Sequence, residues 1–400
     1  MADLGFFSAS PSFWIRCNAK ERRMTTQSRH FARTITYDEL TSGLEAARSE
    51  GAIYCRKRED GLLIWNYTNA CVYDRMWGPF SLIARGLIID PARREIVATP
   101  FPKFFNLGEQ DRVFPDEPFE VFEKLDGSLI VLFHHDGRWQ ASTRGAFGTP
   151  QAVWAEAHMA RFDLSALDPE TTYLAEAIYP ENRIIVSYDE EALVLLSAYD
   201  AEGHEPDFAA LQSTAERIGW RTAQRYRFAS AGEMVTSAEQ LPEQEEGYVV
   251  RFASGSRLKV KSPAYCRLHA IINRITPLGI WDMFRDGDDL EAVRRSIPEE
   301  LWGDFDALVG ATQSLLDSRL AEVADAAARY ERLSNKEIGL MRDEIPPRIF
   351  SYLFAYRQNP DLLSDGKARE KLMREIRPTG NVLEGYEPSS ALTHIIGDAE

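Results

Sequence analysis

The pattern of apolar residues changes character at Tyr265, and that change constrains the fold more than any other feature of the chain. Between Ile53 and Ser262 short apolar runs alternate with turn signals, the signature of strands joined by tight connections. Ile53–Arg56, Leu62–Tyr67, Leu87–Asp90, Leu129–Phe133, Arg138–Thr143, Thr172–Ile178, Ile184–Ser187 and Leu193–Tyr199 read as strands, with Asp60-Gly61 and Gly78-Pro79 among the breaks. Asp136-Gly137 predicts a hairpin and places His134 and His135 in its solvated turn; Glu245–Phe252 and Arg257–Ser262 form a second hairpin. Helical spacing interrupts this part at Tyr37–Glu50, Ala152–Phe162 and Phe208–Ile218. After Tyr265 only helical spacing remains, over Tyr265–Ile275, Leu290–Ser296, Glu299–Leu333 and Ile345–Ala355, with Leu301, Phe305 and Leu308 as core positions. The expectation is an α+β protein: a sheet-rich domain over 34–265 and an all-α domain over 266–400. Residues 1–33 mix aromatic and basic residues and are expected to be a disordered extension, with Met24 offering a second start position.

Charge narrows the function classes. The 400 residues carry 62 acidic and 46 basic side chains, a net −16, so the surface as a whole repels nucleic acid and any such partner needs a local basic groove. The four cysteines lack disulfide or zinc spacing, which suits a reducing compartment. No apolar run is long enough to span a membrane and Met1–Arg23 lacks the apolar core of a secretory signal, so a cytoplasmic protein with no membrane partner is expected.

Glu123-Lys124-Leu125-Asp126-Gly127-Ser128 is the polar island on which the chemistry turns. A lysine amine on a turn, followed by a carboxylate and a glycine able to take positive φ, suits a nucleophile whose backbone comes close to a nucleotide. The same tetrad also occurs as a solvated turn, so its neighbours decide. Alone, Arg85 before an apolar strand reads as a surface charge and Lys103 beside Phe104 and Phe105 as a snorkelling residue, whereas Arg144 beside Gly145 suits phosphate or sugar contact and an exposed strand end equally. Glu176 interrupts an apolar strand and needs a partner there. Glu246 opens the last hairpin, and strand alternation puts Lys259 and Lys261 on one face, the arrangement either of an edge defended by lysines or of two cations aimed at one ligand.

Taken in order, these islands resemble the nucleotidyltransferase superfamily of ATP-dependent ligases and capping enzymes, and within it the RNA ligase 1 family. Glu123–Ser128 looks like motif I, Leu174–Ala177 like motif III, Glu246–Val249 like motif IV and Leu258–Ser262 like motif V. Ala84–Gly86, Pro102–Asn106, Ser142–Gly145, Asn182–Ile184 and Lys261–Tyr265 extend the likeness roughly from Arg85 to His269. Two positions depart from that likeness: Leu125 stands where the resemblance implies an acidic residue, and Arg144 where the phage enzyme has lysine.

The resemblance implies an antiparallel-sheet adenylyltransferase domain, Lys124 as nucleophile, and ATP with Mg²⁺, or Mn²⁺, as cofactors. It implies catalytic roles for Lys124, Asp126, Lys259 and Lys261. ATP would be bound by Arg85, Lys103, Phe105, Gly127, Arg144, Glu176, Glu246, Lys259 and Lys261, and the metal by Glu246 and Asp126. The implied partners are RNA with 5′-phosphate and 3′-hydroxyl ends, including broken tRNA, and a polynucleotide kinase or phosphatase that prepares those ends. Lys259, Lys261 and the metal are expected to depress the Lys124 pKa. A DNA ligase or capping guanylyltransferase shares the motifs but usually carries a β-barrel domain after motif V, where this chain is helical. An RNA-end-binding module without catalysis is the reading from another class.

Overall fold

The computed structural model describes residues 29–364, 366–389 and 392. The expected extension 1–33 lies outside these except for its last residues, and those are ordered. Arg29 bridges to His204, and Phe31–Arg33 is a 3-10 turn capped by His30, whose ring is buried against Tyr199. The chain divides after Cys266 into two compact units.

Three sheets make the first unit. β1 (Ile53–Lys57), β2 (Leu63–Tyr67), β3 (Arg85–Asp90) and β4 (Glu95–Ala98) form an antiparallel meander. It carries α1 (Tyr37–Ser49), whose capping box Thr36/Glu39 fixes the start and whose Leu40 and Leu44 are fully buried. α2 (Asn69–Tyr73) and α3 (Pro79–Ile83, with proline at its first turn) fill the β2–β3 connection. β5 (Phe105–Asn106) and β6 (Phe119–Glu123) enter a second sheet, and β7 (Ser128–His135), β8 (Arg138–Thr143), β9 (Thr172–Ile178) and β10 (Ala192–Tyr199) form a third in the order β10-β9-β7-β8. β11 (Arg225–Tyr226), β12 (Gly247–Phe252) and β13 (Arg257–Lys261) complete the second sheet as β11-β6-β12-β13-β5. α4 (Pro150–Met159) and α5 (Phe208–Ile218) cover the third sheet through Ala155, Met159, Leu211 and Ala215, and α6 (Ala231–Gln240) covers the second through Met234 and Ala238.

Two sequence expectations change here. His134 and His135 are not turn residues: β7 runs through both, His135 is buried, and only Asp136 and Gly137, both at positive φ, make the turn. Ile184–Ser187 is not a strand, because the Ile185 and Val186 N–H groups are taken by a side chain instead of a neighbouring strand.

The second unit is helical: α7 (Pro263–Ile272) runs into it, followed by α8 (Pro277–Asp286), α9 (Leu290–Ser296), α10 (Trp302–Arg329), α11 (Asn335–Leu340), α12 (Pro347–Gln358) and α13 (Gly366–Glu375). Its core joins Trp281, Leu316, Val323, Tyr352, Leu372 and Met373, and the Trp281 indole N–H donates to the Met373 carbonyl at 2.7 Å. No described helix is long and apolar enough to cross a membrane.

Candidate active site

The Lys124 turn is a crossover between sheets. β6 belongs to the second sheet and β7 to the third, and Lys124–Gly127 is the connection, so the turn lies at the seam where two sheets meet. Its backbone is fixed from both sides. Lys124 N–H donates to the Gly247 carbonyl at 2.8 Å, and Gly127 lies so close to β9 that a Cβ there would collide with the Ala177 carbonyl oxygen. Gly127 is not among the glycines with positive φ; close approach, not backbone handedness, is what requires it. Gly247 needs both, with φ at +131° and the Val260 carbonyl against the place of a Cβ.

Asp126 anchors the turn with both carboxylate oxygens. Oδ2 accepts from the Ile185 and Val186 N–H groups at 2.8 Å each, and Oδ1 accepts from the Tyr265 hydroxyl at 2.7 Å. Its own N–H donates to the Tyr188 hydroxyl at 2.7 Å. The carboxylate expected to orient Lys124 or hold metal is thus engaged in bracing the loop; of the two tyrosines that share the task, Tyr265 ends a segment singled out in the sequence and Tyr188 was missed.

Glu246 is buried at the start of β12 and clamps two lysines: Oε2 meets Lys124 Nζ, and Oε1 meets Lys261 Nζ at 2.9 Å. Burial lowers Lys124, but the attraction of Glu246, then Glu176, outweighs it and holds the ammonium above the ordinary lysine value. The depression of Lys124 expected from Lys259, Lys261 and a metal together is therefore not produced by the two lysines on their own. The lysine that falls well below its ordinary value is Lys259, through burial first and then Lys124, Arg85 and Lys103. Glu176, facing the same space from β9, is pushed up to about 7, mainly by burial and against the pull of Lys124.

Lys259 and Lys261 share a face of β13 as alternation requires, but they serve different groups. β13 is no free edge, since β5 pairs with it in parallel through Leu258↔Phe105 and Lys259↔Asn106. Lys259 therefore lies beside Phe104, 5.1 Å from the ring centroid, within a basin of cations on aromatic faces. Arg85 packs over Phe104, and Lys103 lies over Tyr67, Trp77 and Phe105 at 5.8, 5.6 and 5.2 Å. Arg144 donates to the Tyr67 hydroxyl at 2.8 Å. Burial raises the Tyr67 phenol, yet Arg144, Arg85 and Lys103 together bring it below its usual value. Arg85 Nη1 is buried with no hydrogen-bond partner, so the basin has spare donors and positive charge: it fits a polyanion. Tyr67, its hub, was missed in the sequence because it reads simply as the end of a strand.

The comparisons with known proteins fall on the segment that holds these groups. A family model described as RNA ligase matches residues 83–265. A protein of the Autographa californica nuclear polyhedrosis virus, named as a bifunctional polynucleotide kinase/RNA ligase, is 29% identical over 48% of this chain and 31% of its own length, so the chain spans about a third of that relative. The RNA ligase of Rhodothermus phage RM378 is 23% identical over 60% of this chain and 71% of the phage protein. Among solved structures, an archaeal ATP-dependent RNA ligase superposes with a TM-score of 0.46 and 17% identity over 69% of this chain and 78% of that one. The segment that the RNA ligase family model matches, residues 83–265, contains Arg85, Lys103, Lys124, Glu176, Glu246 and both lysines of β13.

Proposed function

We propose that the protein is an ATP-dependent RNA ligase that joins RNA 5′-phosphate and 3′-hydroxyl ends through a covalent adenylate on Lys124, in RNA repair with broken tRNA among its substrates. The observation that carries this reading is the juxtaposition of a lysine held at a sheet seam by Glu246 with a partly unpartnered cation basin. Lys124 Nζ attacks the α-phosphorus of ATP, forming the P–N bond as pyrophosphate leaves. AMP then passes to an RNA 5′-phosphate, and a 3′-hydroxyl displaces it to close the phosphodiester. Arg85, Lys103, Arg144 and Lys259 hold phosphate oxygens as charge moves onto the leaving group, and Glu176 accepts from a ribose hydroxyl.

The amine attacks only when neutral. With its pKa above the ordinary 10.4, fewer than about one molecule in 10³ is neutral at pH 7, so preparing the nucleophile takes at least ~4 kcal/mol. Glu246 and Glu176 are the carboxylates able to hold Mg²⁺ or Mn²⁺, because each acts on Lys124 and Glu246 raises the proton affinity of Glu176. A cation held there would supply the positive charge that Glu246 otherwise draws from Lys124 and Lys261. With Glu246 so engaged, burial and the remaining cations would be left to lower the Lys124 amine. A kinase or phosphatase that prepares RNA ends is the partner this reading calls for, and the viral relative's name joins such a kinase to an RNA ligase.

Purified protein freed of bound AMP, given the divalent cation and ATP labelled at the α-phosphate, should retain label on a denaturing gel, and Lys124→Ala should not. Label from GTP would move the reading to a capping enzyme, and sealing of nicked DNA in place of RNA to a DNA ligase. No label at all would leave an RNA-end-binding module.

A further inference from the structure

The cation basin does not end at Arg144. Gly145, the next residue, lies against β1 and β2: a Cβ there would sit 2.7 Å from the Tyr54 hydroxyl and 2.9 Å from Asn66 Nδ2. Asn66 donates to that hydroxyl at 3.1 Å, and its Oδ1 is buried without a hydrogen-bond partner although the residue is only 6% exposed. Tyr54 is opposite Asn66 in the β1–β2 register, and Arg56 opposite Ile64, so Tyr54 and Arg56 share a face. Arg56 is exposed, lies over the Tyr54 ring at 5.3 Å and has no ion pair among the described residues. Arg58 continues the alternation and covers the Phe147 ring at 4.6 Å, although Asp60 already pairs with it. Groups two residues apart on a strand are spaced by roughly 6.7 Å, comparable to one nucleotide step of an extended chain. A row of half-exposed aromatic faces and cations therefore leads out of the basin along the first sheet, on a chain whose net charge is −16.

We propose that this row, Tyr54 and Arg56 with Arg58 and Phe147 beyond, is a track for single-stranded RNA, carrying the strand whose 5′-phosphate sits in the basin at Arg144. It rests on the RNA ligase reading and adds a surface whose Tyr54, Arg56, Arg58 and Asn66 lie outside the matched family segment, with Phe147 inside it. Tyr54 and Phe147 offer faces for bases, Arg56 takes a phosphate, and Asn66 Oδ1 accepts from a sugar hydroxyl or base.

The test measures binding of 5′-phosphorylated RNAs of three and eight nucleotides by fluorescence anisotropy across a salt series, for wild type, Arg56→Gln and Arg56→Glu, with labelling by ATP measured in parallel. For the eight-mer, Arg56→Glu should weaken binding about tenfold and lower the salt slope by about 0.7, the value of one phosphate contact on a single strand. Arg56→Gln should fall between. The three-mer and the labelling by ATP should be unchanged. Eight-mer affinity and slope equal to wild type in both variants would overturn the track while leaving the ligase reading intact. Arg56-dependent binding in a wild-type protein that takes no label would overturn the ligase reading and keep the track.

Discussion

Replacing Glu176 with glutamine should stabilise the ligand-free protein in a strongly pH-dependent way. The carboxyl is raised from 4.5 in the unfolded chain to about 7 in the fold, chiefly by burial, with Glu246 adding to it. Between these values the folded state holds a proton that the unfolded chain has released, so stability falls as pH rises through the window and the full cost is reached above pH 7. The shift of about 2.5 units corresponds to roughly 3 kcal/mol. Glutamine keeps the shape of the protonated acid and carries no charge to desolvate. At pH 5 the two proteins should therefore melt alike. At pH 8 the variant should melt higher by about 6 °C, taking ~2 °C per kcal/mol for a unit of this size. Thermal melts by circular dichroism at the two pH values give the answer. A variant no more stable at pH 8 than at pH 5, relative to wild type, would refute the assignment of a strained carboxyl at this position. The same substitution should lower adenylation, since the acceptor proposed for the ribose hydroxyl is weakened.

Lys259→Met removes a buried cation repelled by its neighbours, so it should raise the melting temperature at pH 7, by an amount that shrinks toward pH 10.5 as the wild-type penalty disappears; it should also abolish stabilisation by added pyrophosphate, read in the same melts. Glu246→Gln removes the partner that holds Lys124 up, so burial prevails and acylation of Lys124 by an amine reagent, followed by mass spectrometry between pH 7 and 9, should become faster than in wild type. An unchanged pH profile would contradict the clamp. Gly127→Ala forces a Cβ into the Ala177 carbonyl and should cost about 1–3 kcal/mol, measured by denaturant unfolding, where Gly137→Ala, with open space around it, should cost only the strain of its positive φ.

The local periodicities carried the architecture. Thr172–Ile178, Phe208–Ile218 and Leu290–Ser296 have the bounds that an apolar run or helical spacing predicts, because each lies between clear breaks. What alternation could not report is which sheet a strand joins. Pro118–Phe122 and Leu129–Phe133 look like the two arms of one turn, and only their partners, β12 for one and β9 for the other, make Lys124 a seam residue. Ile184–Ser187 has the composition of a strand, yet a carboxylate about sixty positions earlier takes its N–H groups, and no local rule contains that competition. The two histidines failed differently: the Asp136-Gly137 signal located the turn, but a two-residue turn leaves both residues before it in the strand.

Charge was legible as residue type and illegible as sign of effect. Lys124, Lys259 and Lys261 are the same side chain, close in space, and the fold treats them in opposite ways. Glu246 lies between Lys124 and Lys261, so those two ammonium groups share its one negative charge, whereas Lys259, one pleat away, has Phe104 beside it and cations around it. The difference comes from register: Gly247↔Lys261 brings Lys261 level with the residue after Glu246, while Val249↔Lys259 moves Lys259 two residues further along. A shift of that hairpin by two residues would bring Lys259 opposite Gly247, level with the clamp, and carry Lys261 past it, while leaving every hydrophobic residue on its proper face. Register at β12–β13 is therefore part of the chemistry, and Gly247, which alone lets the strands close over the Val260 carbonyl, is the residue that pins it.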